Sequence, residues 1–277
     1  VNEVTFTASG SSLLVWHRAH IVQRLSGEHS ANIDSLLSFG PTVVSVSSKD
    51  SRVCAWNVVQ RDGSNVQLVT SFRLDVLEEN SSDDSDDGED GEDNDNDDSD
   101  GSQSGKTSRR YRDESFVVTS VLHPATYINK VVFGSAAGKL ELWNVATRKH
   151  VHTMQCVNVL SHSESNSSSS SSQQSRGAVT AMAQSPAADI VGVGYSTGEI
   201  YIVNLAYDNI LMQFNQREGL GCVTSLSFRT DSAITSTSGT NTARLVSTGE
   251  TGHFAVWDLQ NKRLETMYHD AHDGRIV

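Results

Sequence analysis

The chain has 277 residues with 34 acidic against 21 basic side chains, a formal net charge of −13. Hydrophobic residues make up 36%, a little under the usual globular share, and the length is ample for a buried core. No run approaches the roughly 18 apolar residues of a membrane-spanning helix, which excludes one. Three prolines and the lack of heptad patterning exclude a helical protein. Cys54, Cys156 and Cys222 lie far apart with no CxxC pair, so buried free thiols in a reducing compartment are expected.

Residues 1–10 hold no basic segment followed by an apolar one, so no secretory signal is expected there. The first residue is not Met, which points to a fragment or a processed chain. Three strands are predicted at 4–7, 13–16 and 21–24, the last before a turn-rich stretch. A second unit opens at Ile33 and reaches Trp56-Asn57-Val58, with Asp50 six residues before the Trp.

Residues 78–100 follow, with 14 carboxylates and no Lys or Arg; the rest of the chain is then nearly neutral, 20 acidic against 21 basic. Residues 78–110 are expected to be a disordered insertion. Asp83, Asp84, Asp86, Asp87, Asp97 and Asp98 within it are a candidate contact for a basic partner. The third unit is predicted as strands at 116–122, 130–134, 140–144 and 150–154. A Ser-rich stretch comes next, with nine serines in residues 161–172; residues 157–176 are expected to form a second disordered insertion. A fourth unit starts at Val179 and a fifth at Val223, the latter holding a polar loop at 232–243. Residues 269–277 look like the opening of a further unit.

These units are copies of one another. Gly138, Gly198 and Gly252 each stand five residues before Trp143, Val203 and Trp257, which are followed by Asn or Asp and then Val or Leu. From the opening Val or Ile to the Trp position the spacing is 23, 25, 24 and 34 residues, the last lengthened by the polar loop. Each unit reads as four short strands with a tight Gly turn before the third. About 40 residues in four strands ending on Trp-Asp or a variant is the pattern of a β-propeller blade. The chain thus resembles WD-repeat proteins: all-β, with about four complete blades and partial blades at both ends, an excerpt of a longer ring. Asp50, Trp56, Gly138, Trp143, Gly198, Gly252, Trp257 and Asp258 are its structural signature residues. Only Asp258 completes a Trp-Asp pair and only Asp50 fills the turn position, so most blades are expected to lack a buried polar network.

Chemistry is sparse. Asp83, Ser85, Asp87 and Gly88 fit the opening of a calcium loop, but its twelfth position is Asn94 where a Glu is needed. Residues 134–139 are one residue short of a phosphate loop and precede a strand. His150, His152, His269 and His272 have no partners at zinc-ligand spacing. No nucleophile, base and orienting group can be assembled, and no metal, cofactor or small-molecule substrate is expected. The tryptophans read as blade core and not as stacking platforms. Basic residues are scattered, most densely at Arg109, Arg110 and Arg112, without a stripe that would support nucleic-acid binding.

Several loops not required by a propeller carry a closer likeness. LHPATYINKVVFGS at 122–135, LELWNV at 140–145, SPAADIVGVG at 185–194, LMQF at 211–214 and VTSLSFRTD at 223–231 occur in order. Together with FTASG at 6–10 and SFG at 38–40, they resemble the U3 small nucleolar RNA-associated protein 21 family. The resemblance implies a non-enzymatic scaffold with tandem propellers and a C-terminal helical domain. It further implies a place among the WD-repeat proteins of the UTP-B subcomplex in the small-subunit processome. Its setting would be the nucleolus, with U3 RNA and pre-rRNA, in 18S rRNA maturation. The alternative is a propeller adaptor of chromatin or ubiquitin-ligase type; fold alone licenses only an interaction platform.

Overall fold

The computed structural model describes residues 4–79, 108–111, 116–159, 177–216, 220–230 and 243–276. Strands β1 (Val4–Ser9), β2 (Ser12–His17) and β3 (His20–Leu25) form a three-stranded sheet, the first blade without an opening strand. Blade 2 is β4 (Ser35–Phe39), β5 (Thr42–Ser47), β6 (Arg52–Val58) and β7 (Val66–Arg73). The ribbon β8 (Val76–Glu79) and β9 (Ser108–Tyr111) stands apart. Blade 3 is β10 (Val118–Leu122), β11 (Lys130–Ser135), β12 (Leu140–Asn144) and β13 (Lys149–Thr153), followed by one helical turn, α1 (Cys156–Val159). Blade 4 is β14 (Val179–Gln184), β15 (Ile190–Tyr195), β16 (Glu199–Asn204) and β17 (Asn209–Asn215). Blade 5 is β18 (Ser225–Thr230), β19 (Ala243–Thr248), β20 (Phe254–Asp258) and β21 (Arg263–Tyr268). Within each blade the strands pair antiparallel in chain order, as the repeat predicts.

The apolar side chains are buried in four seams, each shared by two blades. Leu13 and Val15 of blade 1 meet Val43, Cys54 and Trp56 of blade 2. Val44 and Val53 of blade 2 meet Val131, Phe133 and Trp143 of blade 3. Val132 and Leu142 meet Val193 and Tyr201 across the next seam, and Ile200 and Phe214 meet Leu245 and Trp257 across the last. A middle strand therefore has neighbours on both faces, which is why β12 and β16 read as near-continuous apolar runs. The outermost strands face water, and β21 is almost wholly exposed. Among the described residues no apolar cluster joins blade 1 to blade 5, so the blades form an arc and not a closed ring.

Glycine sets how closely neighbouring blades approach. A Cβ on Gly134 would lie 2.6 Å from Val179 Cγ1, and one on Gly194 would lie 2.4 Å from Val223 Cγ1. Both distances are shorter than real carbon contacts allow, so each glycine admits the first strand of the following blade.

The conserved step after the Trp position is explained by the turn it opens. Asn144 Oδ1 accepts the N–H groups of Ala146 and Thr147 at 3.0 and 3.1 Å. Asn204 Oδ1 does the same for Ala206 and Tyr207 at 3.0 and 3.2 Å, and Asp258 Oδ1 takes Asn261 N–H at 3.0 Å. The side chain thus satisfies turn amides that have no strand partner. Asn144→Ala should cost about 1 kcal/mol, read as a lowered thermal midpoint, with Asn144→Asp retaining stability.

A second repeated feature has no counterpart in the sequence reading. In all five blades the ladder to the outer strand slips by one residue at the Trp position: Val15/Trp16, Ala55/Trp56, Leu142/Trp143, Ile202/Val203 and Val256/Trp257. The extra outer-strand residues are Val22, Val69, Val151, Leu211 and Glu265. These bulges bend the outer strand and account for exposed valines at positions 22, 69 and 151.

Several expectations change at their edges. Glu78 and Glu79 lie in β8 and Ser108 to Arg110 in β9, so both ends of the 78–110 segment are strand. Val157, expected at the start of the Ser-rich insertion, is buried within α1, and Ala243, assigned to the polar loop, begins β19. The remainder of the three insertions lies outside the described residues. Of the three free cysteines only Cys54 is buried; Cys156 and Cys222 are half-buried. Residues 269–276 form no strand, but Ile276 N–H bonds Gly249 O at 3.4 Å, much as Val223 N–H bonds Tyr195 O at 3.1 Å.

Candidate functional site

The signature residues stand at the turn and on the strand around the Trp position, which Val203 fills in blade 4. In blade 2 the indole Nε1 of Trp56 donates to Ser45 Oγ at 2.9 Å, and His29 Nε2 lies 2.9 Å from the same oxygen. His29 Nδ1 is 3.7 Å from Asp50 Oδ2. Asp50 in turn accepts N–H groups from Ser30 at 2.8 Å, Ala31 at 3.3 Å and Arg52 at 3.0 Å. One aspartate thereby fixes the loop before the blade, the Gly-type turn and the imidazole beneath them. Sequence reasoning identified Asp50 and Trp56 but missed His29 and Ser45, which lie in a loop and in mid-strand and converge only when folded.

The other tryptophans keep a single bond each in place of that chain of groups. An indole N–H cannot be buried unpaired without cost, and each blade supplies its own acceptor. Trp16 donates to Thr7 Oγ1 at 2.8 Å, Trp143 to Glu141 Oε2 at 2.9 Å and Trp257 to Ser247 Oγ at 2.8 Å. Ser45, Thr7 and Ser247 hold the same ladder position, two residues beyond the partner of the Trp. Phe133 occupies that position in blade 3, so the indole turns to Glu141 of its own strand. Trp56, Trp143 and Trp257 are all buried, as core residues should be. Gly138, Gly198 and Gly252 have φ of 81°, 87° and 77°, the left-handed region that glycine enters without steric cost.

Burial pushes the pKa of His29 below its ordinary value, against the pull of Asp50. Burial would raise Asp50, but amide hydrogen bonds from Ser30 and Arg52 and the nearby imidazole hold it below the carboxylate range. For His29 the unfolded chain takes the proton more readily. Its contribution is therefore complete above about pH 6.5 and is lost as pH falls below that value. Chemical-denaturant midpoints should decline from pH 7.5 to pH 5.5, and His29→Gln should flatten that slope.

A second polar cluster ties blade 3 to blade 4. Asp208 accepts from His152 Nε2 and Gln155 N at 2.8 Å and from Cys156 N at 3.0 Å. Burial opposes its ionisation, but the Cys156 thiol, His152 and these amides lower its pKa to about 2. The carboxylate takes groups from the end of blade 3 and from the segment after it, so it fastens the junction of the two blades. Burial also raises the Cys54 thiol to about 11 and pushes Cys222 upward. Among the described residues no three His, Cys, Asp or Glu side chains are placed to hold a metal. Asp83, Asp84, Asp86, Asp87, Asp97 and Asp98 lie outside the described residues.

What this geometry supports is a rigid platform that presents turns on two faces. A family model described as the WDR36/Utp21 first β-propeller matches residues 96–277. Human WD repeat-containing protein 36 is 34% identical over 162 residues, 58% of this chain and 15% of that protein. The U3 small nucleolar RNA-associated protein 21 homolog of Schizosaccharomyces pombe is 33% identical over 159 residues, 57% of this chain and 14% of that protein. The matched part is thus about a seventh of either relative's length. Among solved structures, the mitotic checkpoint complex gives a TM-score of 0.60 at 13% identity, covering 98% of this chain and 63% of the other. The WD40 β-propeller domain of Doa1 gives 0.56 at 14% identity, covering 96% and 65%. The computationally designed Ika8 protein gives 0.57 at 18%, covering 99% and 63%. These three likenesses speak to the fold alone.

Proposed function

The chain belongs to the WDR36/Utp21 first β-propeller family, and from that premise we propose that it is part of a non-enzymatic scaffold of ribosome biogenesis. In this reading it serves the UTP-B subcomplex of the small-subunit processome, in the nucleolus, during pre-rRNA processing toward 18S rRNA. Its partners are other WD-repeat subunits, processome proteins and the particle that carries U3 RNA. The carrying observation is the family match over residues 96–277, which reaches loops that a propeller does not require. The site chemistry agrees: apolar seams join neighbouring blades, and burial raises the Cys54 and Cys222 thiols.

Of residues 78–110, 157–176 and 232–243, the parts beyond β8, β9, α1 and β19 are assigned as insertions, the first two between blades and the last within blade 5. The acidic residues Asp83, Asp84, Asp86, Asp87, Asp97 and Asp98 are assigned to a basic protein partner. Affinity purification of the full-length protein tests the whole reading. Recovery of U3 RNA with processome proteins is expected; recovery of a chromatin or ubiquitin-ligase assembly instead would overturn it. Deleting residues 81–100 should weaken the basic partner's association at 0.1 M salt and leave the thermal midpoint nearly unchanged. Undiminished association would remove the assignment of the acidic run.

A further inference from the structure

In four of the five blades the turn before the outermost strand carries a non-glycine residue in the left-handed region, while blade 2 has Gly63 there (φ 75°). The non-glycine residue is Arg18 in blade 1 (φ 57°), Arg148 in blade 3 (φ 61°), Asp208 in blade 4 (φ 47°) and Lys262 in blade 5 (φ 52°). For a residue with a Cβ this conformation is strained, and glycine, asparagine or aspartate is the stabilising choice. Asp208 obeys that rule and is occupied by His152, Gln155 and Cys156. The other three positions hold long cations. Arg18, Arg148 and Lys262 are exposed and enter none of the ion pairs formed among the described residues. Asn144 and Asp258 hold the turns of blades 3 and 5 in shape, but a glycine would serve them equally; long cations kept at three equivalent left-handed surface positions point to a function for the side chains.

All these turns emerge on one face, because every blade runs its strands in the same order and neighbouring blades lie side by side. Thr126 of the first turn in blade 3 bonds Asp189 of the matching turn in blade 4 at 2.7 Å, which ties that face together. Exposed Arg61 in the blade 2 turn and Lys149 beside Arg148 add to the same arc. Residues scattered along the sequence are thereby gathered into a row. Asp62, Asp189 and Asp258 share the face, but each is held by hydrogen bonds at its own turn, to Ser64, Thr126 and Asn261. In blade 4, where the cation is replaced, the adjoining Tyr207 is 79% exposed. Its backbone N–H is fixed by Asn204, so the ring projects from an ordered turn.

Spaced cations with an exposed aromatic ring between them match the chemistry of single-stranded nucleic acid: phosphates along the row, and a base stacked on the tyrosine. We propose that this turn face binds single-stranded RNA directly, through Arg18, Arg148 and Lys262 with Tyr207 as the stacking platform. An acidic protein would use the cations but has no need of the ring. The scaffold reading requires only protein contacts and holds with or without this surface.

The test uses the full-length protein and a fluorescent 20-nucleotide single-stranded RNA, titrated over a salt series. The combined variant Arg18→Gly, Arg148→Gly, Lys262→Gly should bind about tenfold more weakly at 0.1 M salt. The slope of log affinity against log salt should fall by about 2, since single strands give about 0.7 per contact. Because glycine relieves the strain, its thermal midpoint should be equal or higher; the corresponding asparagine triple provides the same charge loss in a second background. Tyr207→Ala should weaken binding about tenfold with an unchanged salt slope, and Tyr207→Phe should restore it. Unchanged RNA affinity and slope in both triples would overturn the proposal. So would binding of poly-glutamate that the triples abolish without any RNA binding by the parent, which would assign the face to an acidic protein. Co-purification of processome proteins by the triples distinguishes loss of this surface from failure of the scaffold reading.

Discussion

Trp143→Ala should lower stability by about 3–5 kcal/mol, the range for emptying a large aromatic site in a core. The ring is 1% exposed and serves both blades of its seam. It stacks on Phe72 of blade 2 with centroids 5.5 Å apart and meets His150 edge-on at 5.4 Å. Its indole N–H also reaches the buried carboxylate of Glu141. Two costs combine in the truncation, a cavity and a buried acceptor with one donor fewer. Trp143→Phe separates them, since it keeps most of the volume and removes only the donor; a loss of about 1–3 kcal/mol is expected. Denaturant titration of both variants measures the difference. A cost below 1 kcal/mol for the alanine variant would contradict the placement of the ring in the seam.

Gly194→Val should have an effect of similar size for the opposite reason. Its first added carbon would already lie 2.4 Å from Val223 Cγ1 and 2.8 Å from Val223 Cβ. The side chain that must yield belongs to the next blade's opening segment, whose backbone is held by Val223 N–H to Tyr195 O. Overpacking of this kind costs about 1–3 kcal/mol in tolerant cores, and a branched side chain at such a contact belongs at or above the upper limit. Gly194→Ala should cost less, and Val223→Ala should recover part of that loss in the double variant. Full additivity of the two single changes would show that the blades are not in contact there.

The parts of this architecture that were legible in the sequence are those set by local rules. Alternation, the Gly turn and the Trp position mark β12, β16 and β20 closely, because a strand between two blades must be apolar and its turn must be tight. The outer-strand bulges were not legible, since the extra residue is valine, leucine or glutamate with no preference of its own. Ser45 and His29 carry no signal until the fold sets them against Trp56. Glu141 was hidden by the opposite effect: in the run Leu140-Glu141-Leu142 it reads as a solvent-facing residue, yet it is 3% exposed. The row of turn cations was invisible for a topological reason. Its members are separated by whole blades in the chain and come to one face only through the shared strand order of the blades.

The β8–β9 ribbon has a mechanical consequence for the stretch it encloses. Blades 2 and 3 are joined by 44 residues, where blades 4 and 5 need only nine. Four backbone pairs, from Val76 with Tyr111 to Glu79 with Ser108, bring the two ends of that connection together close to the blades. The register pairs Glu78 with Arg109 along the backbone. The connection therefore leaves the blades as one paired stem, whose four backbone pairs are separate from the ladders and seams that hold the blades.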